Sequence, residues 1–274
     1  MNATTHRAPT WGADPYADAL RSGRGPLFLR RADGWLLPLE VERWCGGTDA
    51  ADRSALRRCK GGVLDIGCGP GRLVAALAAQ GRRALGIDVS EAAVARTAAI
   101  GGSALCRSVF DPLPDEGHWG TALLLDGNIG IGGDPRALLL RTAELLAPRG
   151  TLIVETTAAD VDERVEVQVD GGSGAAGGFF PWARVGTPAL LRYAAEAGWA
   201  PAESWSVPAP PDQRPDSAER RFVALRRRTR AAVPRSRGPA ARADSTSADR
   251  ANSPAVSSSQ RARKSSPGRP VTDV

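Results

Sequence analysis

A glycine-rich turn between an apolar run and a helix-forming stretch constrains the fold of this chain most. Residues 63–72 read VLDIGCGPGR, with Gly67, Gly69 and Gly71 at alternate positions. The run VLDI predicts a buried strand, and the small and aliphatic residues after the turn predict a helix. Glycine allows the left-handed conformations and the close backbone approach that a bound nucleotide requires. The turn therefore indicates an α/β fold with a nucleotide at the end of a strand.

Strand-like runs and helical patterns alternate along the middle of the chain. The strand-like runs lie at residues 63–66, 84–88, 104–110, 121–126, 151–156, 203–207 and 221–226. The helical patterns lie at residues 72–79, 91–99, 135–147 and 188–197. Strands that alternate with helices in this way favour a mostly parallel sheet covered by helices on both faces.

The spacing of the glycines discriminates between nucleotides. A dinucleotide-binding turn reads G-x-G-x-x-G, whereas here the third glycine comes one position early and Arg72 stands where that pattern has Gly or Ala. The spacing G-x-G-x-G after LD is typical of proteins that bind S-adenosylmethionine (SAM). Residues 61–226 resemble the class I SAM-dependent methyltransferases. The resemblance implies a Rossmann-like, seven-stranded and mostly parallel α/β sheet, SAM as cofactor, and methyl transfer as the reaction.

The resemblance assigns the cofactor to residues that follow the first three strands. The predicted cofactor-binding residues are Asp65, Gly67, Cys68, Gly69, Gly71, Asp88, Val89, Phe110 and Asp111. Asp65 would anchor the amino-acid end of SAM, and the two carboxylate oxygens of Asp88 would accept from the ribose hydroxyls. Phe110 or Val109 would cover the adenine ring, and Asp111 would accept from its amino group. Two alternatives stay open, since Asp88 also suits a helix-cap partner and the pair Asp-Pro also opens ordinary turns.

Candidate catalytic residues are few, because methyl transfer needs mainly orientation and exclusion of water. Asp126 and Asn128 lie in the unusual stretch LLLDGNIGIGGDP, and His118 precedes the strand before it. The alternatives are a loop that needs glycine at several positions, and a solvated surface histidine. Catechol-type methyltransferases bind magnesium through an Asp here and an Asp-Asn pair after the next strand. In this chain Glu155 is followed by threonine, so no metal is predicted.

An insertion at residues 158–186 is the predicted wall of the acceptor pocket. It contains the alternating run RVEVQVD and then an aromatic cluster behind glycines, which we expect to act as a hinge. The predicted substrate-binding residues are Phe179, Phe180, Trp182 and Arg184. The alternative is that these aromatic side chains simply pack on the sheet. Residues 1–60 are predicted to form an N-terminal lid or helical segment, ahead of a methyltransferase domain at 61–228.

The net charge of +6 is distributed unevenly along the chain. From Arg226 onward there are 12 basic and 3 acidic residues, a net of +9, which leaves a net of −3 for the remainder. A mildly acidic folded part argues against a specific nucleic-acid surface. The tail at residues 229–274 is rich in Arg, Ser, Pro and Ala. We expect it to be disordered, because it has little to bury, and to bind polyanions weakly.

The cysteines and the hydropathy of the chain limit the remaining classes of site and location. The four cysteines form no CxxC pair, and neither histidine stands at a spacing typical of a Cys/His zinc site. No stretch resembles a signal peptide or an apolar span of roughly 18 residues. We therefore expect a soluble cytoplasmic protein without a membrane partner.

Three functional hypotheses follow from these patterns. The first is a SAM-dependent methyltransferase that acts on a small-molecule acceptor by O- or N-methylation. The second is an NAD(P)-dependent oxidoreductase on a related sheet, against which the early third glycine speaks. The third is a catalytically silent SAM-binding regulatory module, because the glycine turn and Asp88 predict binding and not turnover.

Overall fold

The structure, a computed structural model, describes residues 15–172, 175–208 and 219–228. The helices are α1 (Pro15–Ser22), α2 (Val41–Cys45), α3 (Ala50–Arg58), α4 (Arg72–Ala78), α5 (Glu91–Ala99), α6 (Pro135–Leu145) and α7 (Thr187–Glu196). A 3-10 turn covers Asn128–Gly130. The predicted tail lies outside the described residues. Within the described ranges, no helix is both long enough and apolar enough to cross a bilayer.

Eleven strands build two separate sheets in the described part of the chain. The strands are β1 (Phe28–Arg31), β2 (Leu36–Pro38), β3 (Val63–Ile66), β4 (Ala84–Asp88), β5 (Ala104–Cys106), β6 (Trp119–Leu124), β7 (Leu146–Thr156), β8 (Asp162–Asp170), β9 (Ala175–Val185), β10 (Trp199–Pro208) and β11 (Glu219–Arg227).

The main sheet has seven strands in the order β10-β11-β7-β6-β3-β4-β5. The pairs from β7 through β6, β3 and β4 to β5 are all parallel, whereas β11 runs antiparallel to both of its neighbours. This confirms the predicted seven-stranded, mostly parallel sheet with its helices. Parallel strands end at one edge, so the turns after β3, β4, β6 and β7 meet at that edge.

The hydrophobic core lies on both faces of the main sheet. All four residues of β3 are buried, as expected for a central strand that is covered on both faces. One face packs against α6 and α7, where the indole of Trp199 is fully buried and donates to the Leu139 carbonyl at 3.0 Å. The other face packs against α3 and α4, with Leu73 and Leu77 among its buried side chains. This core fixes the strand ends that carry the site.

The second sheet joins two segments that are distant in sequence. It has the order β2-β1-β8-β9, and β1 pairs antiparallel with β8 so that Leu29 faces Val169. The predicted N-terminal segment is therefore only partly helical, because residues 28–38 form a hairpin. The aromatic segment that follows the expected glycine hinge forms strand β9. Both hairpins bury apolar side chains, including Leu27 and Val167, beside α1 and α2.

Candidate functional site

The glycine turn after β3 adopts left-handed backbone conformations. Gly67, Gly69 and Gly71 have φ values of +70°, +52° and +84°, a region that side chains other than glycine rarely adopt. A Cβ atom on Gly67 would lie 2.7 Å from the Asn128 amide nitrogen, and one on Gly71 would lie 2.3 Å from the Thr97 hydroxyl. At these two positions the protein itself therefore requires glycine. A Cβ on Gly69 would instead lie 3.6 Å from the Tyr16 hydroxyl, below α1.

The side chain of Cys68 faces the neighbouring strand β4. It is buried, and a Cβ atom on the neighbouring Gly86 of β4 would lie 2.5 Å from its sulfur. The Cys68 backbone N–H donates to the Ile87 carbonyl at 3.0 Å. Cys68 therefore shapes the cofactor turn through its backbone and its packing, and its sulfur points toward β4.

Asp88 ends β4 and holds the glycine turn. Its carboxylate accepts from the backbone N–H groups of Gly69 and Ser90, both at 2.9 Å. Burial raises the pKa of Asp88, and these backbone donors counteract the rise. A carboxylate has about four acceptor sites, so capacity remains for a further donor. The contact with Ser90 fits the helix-cap alternative, and the contact with Gly69 places the carboxylate at the turn that was predicted to bind the ribose.

Asp65 presents a buried oxygen atom that has no hydrogen-bond partner. Its side chain is 2% exposed, and its Oδ2 atom accepts no hydrogen bond from the described residues. Burial raises the pKa of Asp65 to about 7, although Arg72 lowers it, and the carboxylate of Asp126 adds to the rise. A buried acceptor without a donor is costly. This oxygen is therefore suited to a cationic donor that enters beside the turn.

The residues predicted to contact adenine lie along the strand ends next to this turn. Val89 is half-buried, and Phe110 is 45% exposed. The Phe110 ring lies against Gly132, where a Cβ atom would approach it to 2.8 Å. The Asp111 carboxylate accepts from the Ser108 backbone N–H at 3.2 Å and closes its own turn. Asp111 is thus at least a turn residue, as the alternative interpretation proposed.

Asp126 is held by three arginines, and its predicted catalytic role stays a prediction. Its carboxylate lies 2.6 Å from Arg43 Nη2, 2.8 Å from Arg72 Nη2 and 3.3 Å from Arg220 Nη2. Burial alone would raise the pKa of Asp126, but the three guanidinium groups together hold it well below its usual range. A carboxylate in this state accepts protons poorly. Both of its oxygens already have cationic partners among the described residues.

Asn128 contacts the glycine turn directly. Its Nδ2 atom donates to the carbonyl oxygens of Ile66 and Gly67, at 2.9 Å each. Both amide N–H donors are therefore directed at the point where β3 enters the turn. The structure places Asn128 where it positions the turn, and it gives the side chain no contact typical of a proton-transfer group.

His118 lies at the opposite edge of the main sheet. It precedes β6, and the six residues of β6 run from His118 toward the site. The length of this strand separates His118 from the site by about 17 Å. Its exposed ring contacts the Glu116 carbonyl at 2.8 Å. The structure therefore does not bring His118 to the site. Strand direction separates the two, and the role of His118 as a general base stays a prediction without support from this geometry.

A cavity of about 220 Å³ lies between the small sheet, α2 and the ends of β6 and β7. Its apolar lining includes Leu29, Leu37, Leu39, Ile129, Trp182 and Val185. Its charged lining includes Glu40, Arg43, Asp126, Glu155 and Arg184. The cavity borders the Asp126–Gly127 turn on one side, and Asn128 connects that turn to the glycine turn.

The predicted substrate-binding residues divide into three groups. Trp182 and Arg184 line the cavity, and Arg184 also pairs with Glu163 at 2.8 Å. Phe180 does not line it but packs edge-on against Trp182, with ring centroids 6.4 Å apart. Phe179 is 48% exposed and lies outside the lining, so its contact with the acceptor stays a prediction.

Strand β9 also accounts for glycines in the loop after β6. A Cβ atom on Gly130 would lie 2.2 Å from the Ala183 carbonyl oxygen, and one on Gly133 would lie 2.6 Å from Pro181 Cβ. The loop therefore requires glycine because β9 crosses it closely.

Sequence reasoning missed the charged cluster beneath this edge of the sheet. The cluster contains Arg43, Asp49, Asp52, Arg72, Asp126, Glu155 and Arg220. The one available signal was Arg72, which directly follows the glycines. Among the described residues, no three His, Cys, Asp or Glu side chains are grouped as a metal site would require.

Comparisons with known proteins agree with this architecture. A family model described as a methyltransferase domain matches residues 42–211. The SAM-dependent methyltransferase from Bacteroides fragilis, solved in complex with S-adenosyl-L-homocysteine, aligns with a TM-score of 0.62 and 19% identity, over 78% of this chain and 93% of that one. A SAM-dependent methyltransferase from Methanosarcina mazei aligns with a TM-score of 0.50 and 13% identity, over 67% of this chain and 99% of that one. No curated protein matches the chain. At these identities the solved structures establish a shared fold.

Proposed function

The chain belongs to the family of methyltransferase domains, and from this membership we propose that it transfers the methyl group of SAM to a small-molecule acceptor. The family match covers more than half of the chain and includes the glycine turn, β4 and the ends of β6 and β7. We propose oxygen or nitrogen as the methylated atom.

The observation that carries the proposal is the unpartnered Oδ2 atom of Asp65 beside the glycine turn. SAM carries an ammonium group at its amino-acid end, and a charge-assisted hydrogen bond from it would satisfy this buried acceptor. Asp88 would hold the ribose with the acceptor sites that Gly69 and Ser90 leave free. Val89 and Phe110 would then border the adenine ring.

The cavity beside the turn supports a small acceptor. When bound, SAM supplies a methyl group on a positively charged sulfur atom, which is already a good leaving group. The task of the chain is then to orient the acceptor and to exclude water. The apolar wall formed by Trp182 and its neighbours suits both tasks, and a cavity of about 220 Å³ suits a compact molecule.

The charged side of the cavity supports catalysis by orientation. Asp126 and Glu155 line it, but their carboxylates already accept from Arg220 and other groups of the cluster. We therefore assign proton removal to neither residue. The acceptor would attack with a lone pair that is available once it is bound and aligned.

Calorimetry with S-adenosylhomocysteine (SAH), followed by a methylation screen, tests the proposal. We expect SAH to bind, NADH not to bind, and a metabolite extract incubated with SAM to yield a product heavier by one methylene unit. Asp88→Ala should weaken SAH binding, whereas the matched control Asp115→Asn, at the opposite edge, should not. Failure of SAH to bind would reject the proposal. Binding without any methylated product would favour the silent SAM-binding module.

A further inference from the structure

A buried network of charges lies beneath both the glycine turn and the cavity. Arg220, at the start of β11, is 8% exposed and is the centre of this network. Its Nε and Nη2 atoms donate to the two oxygens of Glu155, at 2.7 and 2.8 Å. Its Nη1 atom donates to Asp49 at 2.9 Å and to Asp52 at 3.1 Å, and Nη2 also reaches Asp126 at 3.3 Å. All five N–H donors of the guanidinium group therefore have a carboxylate acceptor.

The network fixes the backbone turn after β6. Asp126 adopts a φ of +57°, a left-handed conformation that is uncommon for residues other than glycine. The carboxylate of Asp126 accepts from Arg220, and its backbone N–H donates to Glu155 Oε2 at 2.9 Å. Arg220 and Glu155 therefore hold this strained residue from both its side chain and its backbone.

The turn after β6 in turn holds the glycine turn. Gly127 has a φ of +83° and leads directly into Asn128, whose amide donates to the Ile66 and Gly67 carbonyls. Hydrogen bonds from Arg220 to Asp126, the backbone from Asp126 to Asn128, and hydrogen bonds from Asn128 thus connect Arg220 to the start of the glycine turn.

We propose that Arg220 is a positioning residue for methyl transfer, which acts through the Asp126–Asn128 turn to set the geometry of the glycine turn and the floor of the acceptor cavity. This inference rests on the proposed function, because the geometry it controls is that of the cofactor and acceptor sites. Arg220 lies beyond the residues matched by the family model. Its contribution is an arrangement of contacts, not a contact with the reacting atoms.

The pair Arg220→Lys and Arg221→Lys tests the inference with SAH as the probe. Lysine keeps the charge but offers its three donors from one point, so it cannot reach all of these carboxylates as the planar guanidinium does. The neighbouring Arg221 is 46% exposed and donates to the Ala158 carbonyl. We expect Arg220→Lys to weaken SAH binding at least fivefold while the protein stays folded. We expect Arg221→Lys to change the affinity by less than about twofold.

A double-mutant cycle with Asn128→Ala tests the route of the effect. If Arg220 acts through Asn128, the double variant should bind SAH almost as well as the single variant that has the lower SAH affinity. Additive losses would overturn the proposed route. Unchanged SAH affinity in a less stable Arg220→Lys would show a purely structural role and overturn the inference. If Arg220→Lys does not fold, Glu155→Gln replaces it in the same cycle, with the same expected and contradicting outcomes.

The two proposals fail in distinguishable ways. If the wild-type protein does not bind SAH, the proposed function is rejected. If the wild-type protein binds SAH and Arg220→Lys binds it equally well, only the positioning role is rejected.

Discussion

Replacing Asp65 with asparagine is expected to change the pH dependence of both cofactor binding and stability. Burial raises the pKa of Asp65 to about 7, against an ordinary value of 3.8, and the Arg72 guanidinium lowers it only partly. Asp65→Asn keeps the shape of the side chain and removes its ionisation. The variant therefore separates the charge of Asp65 from its place in the fold.

The effect on stability follows from the difference of about three pKa units. At 1.36 kcal/mol per unit, ionising Asp65 in the folded protein costs roughly 4 kcal/mol. Because the folded pKa is raised, this cost is absent below about pH 4 and grows as the pH rises to about 7. The free energy of unfolding of the wild-type protein should therefore fall relative to Asp65→Asn over this range, by up to roughly 4 kcal/mol. Urea melts at pH 4, 6 and 8 measure the difference.

The effect on binding has the opposite pH dependence. The ammonium group of SAH, placed beside Asp65, favours the ionised carboxylate, so binding below about pH 7 must release a proton. With a pKa of about 7, SAH affinity should fall roughly tenfold between pH 8 and pH 6. Calorimetry in two buffers of different ionisation enthalpy counts the released proton. Asp65→Asn should bind more weakly at pH 8, without proton release.

Two results would refute this reasoning. One is a wild-type SAH affinity that is equal at pH 6 and pH 8, since the carboxyl group would then not titrate in this range. The other is wild-type affinity in Asp65→Asn at pH 8, since the charge would then not contact the cofactor. Asp115→Asn is the matched control, because Asp115 is half-exposed at the opposite edge of the sheet. It should reproduce the wild-type profile.

Three further predictions concern the ribose, the acceptor and metals. Asp88→Ala should weaken SAH binding at least tenfold, since two charge-assisted hydrogen bonds of roughly 1.5–3 kcal/mol each are lost; unchanged affinity in a folded variant would exclude Asp88 as the ribose ligand. Trp182→Ala should leave SAH affinity within about twofold and lower kcat/KM for the acceptor about tenfold, or about 1.4 kcal/mol. Phe179→Ala, at an exposed position, should change neither quantity. A parallel loss of SAH binding and melting temperature in Trp182→Ala would contradict a pocket role. EDTA should leave activity intact, because arginines hold the Asp126 carboxylate; complete loss that magnesium restores would contradict this.

The main sheet could be predicted from the sequence because its signals are local. The run VLDI, its glycines and the apolar runs that follow each report on a few neighbouring residues, and the parallel order follows from the alternation with helices. The second sheet could not be predicted. The alternation in RVEVQVD indicated a strand, but its partner β1 lies about 140 residues earlier, and no local pattern names the partner.

The candidate site was predictable to a similar extent. Asp65 and Asp88 lie at the carboxyl ends of β3 and β4 beside the glycine turn, so strand direction alone brings them together. By the same rule His118 lies away from this turn, because it precedes its strand. The sequence left the role of the glycines in the loop after β6 open. A flexible binding loop and a loop crossed closely by another strand both require glycine. Only the contacts of Gly130 and Gly133 with β9 distinguish the two.

The arginine cluster could not be predicted from the sequence, for a physical reason. Arginine is usually exposed, and this chain has 36 Lys and Arg residues, so composition does not separate buried arginines from solvated ones. Arg72 and Arg220 differ from the other arginines in position. Each lies at the start of a helix or strand, on the edge of the main sheet where Asp126 follows β6. A buried charge is tolerated only when it is paired, so an arginine next to the cofactor turn implies carboxylates from elsewhere in the chain. The same logic reassigns Asp126. At a strand end its carboxylate resembles a catalytic group, but three guanidinium partners make it a fixed part of the frame around the site.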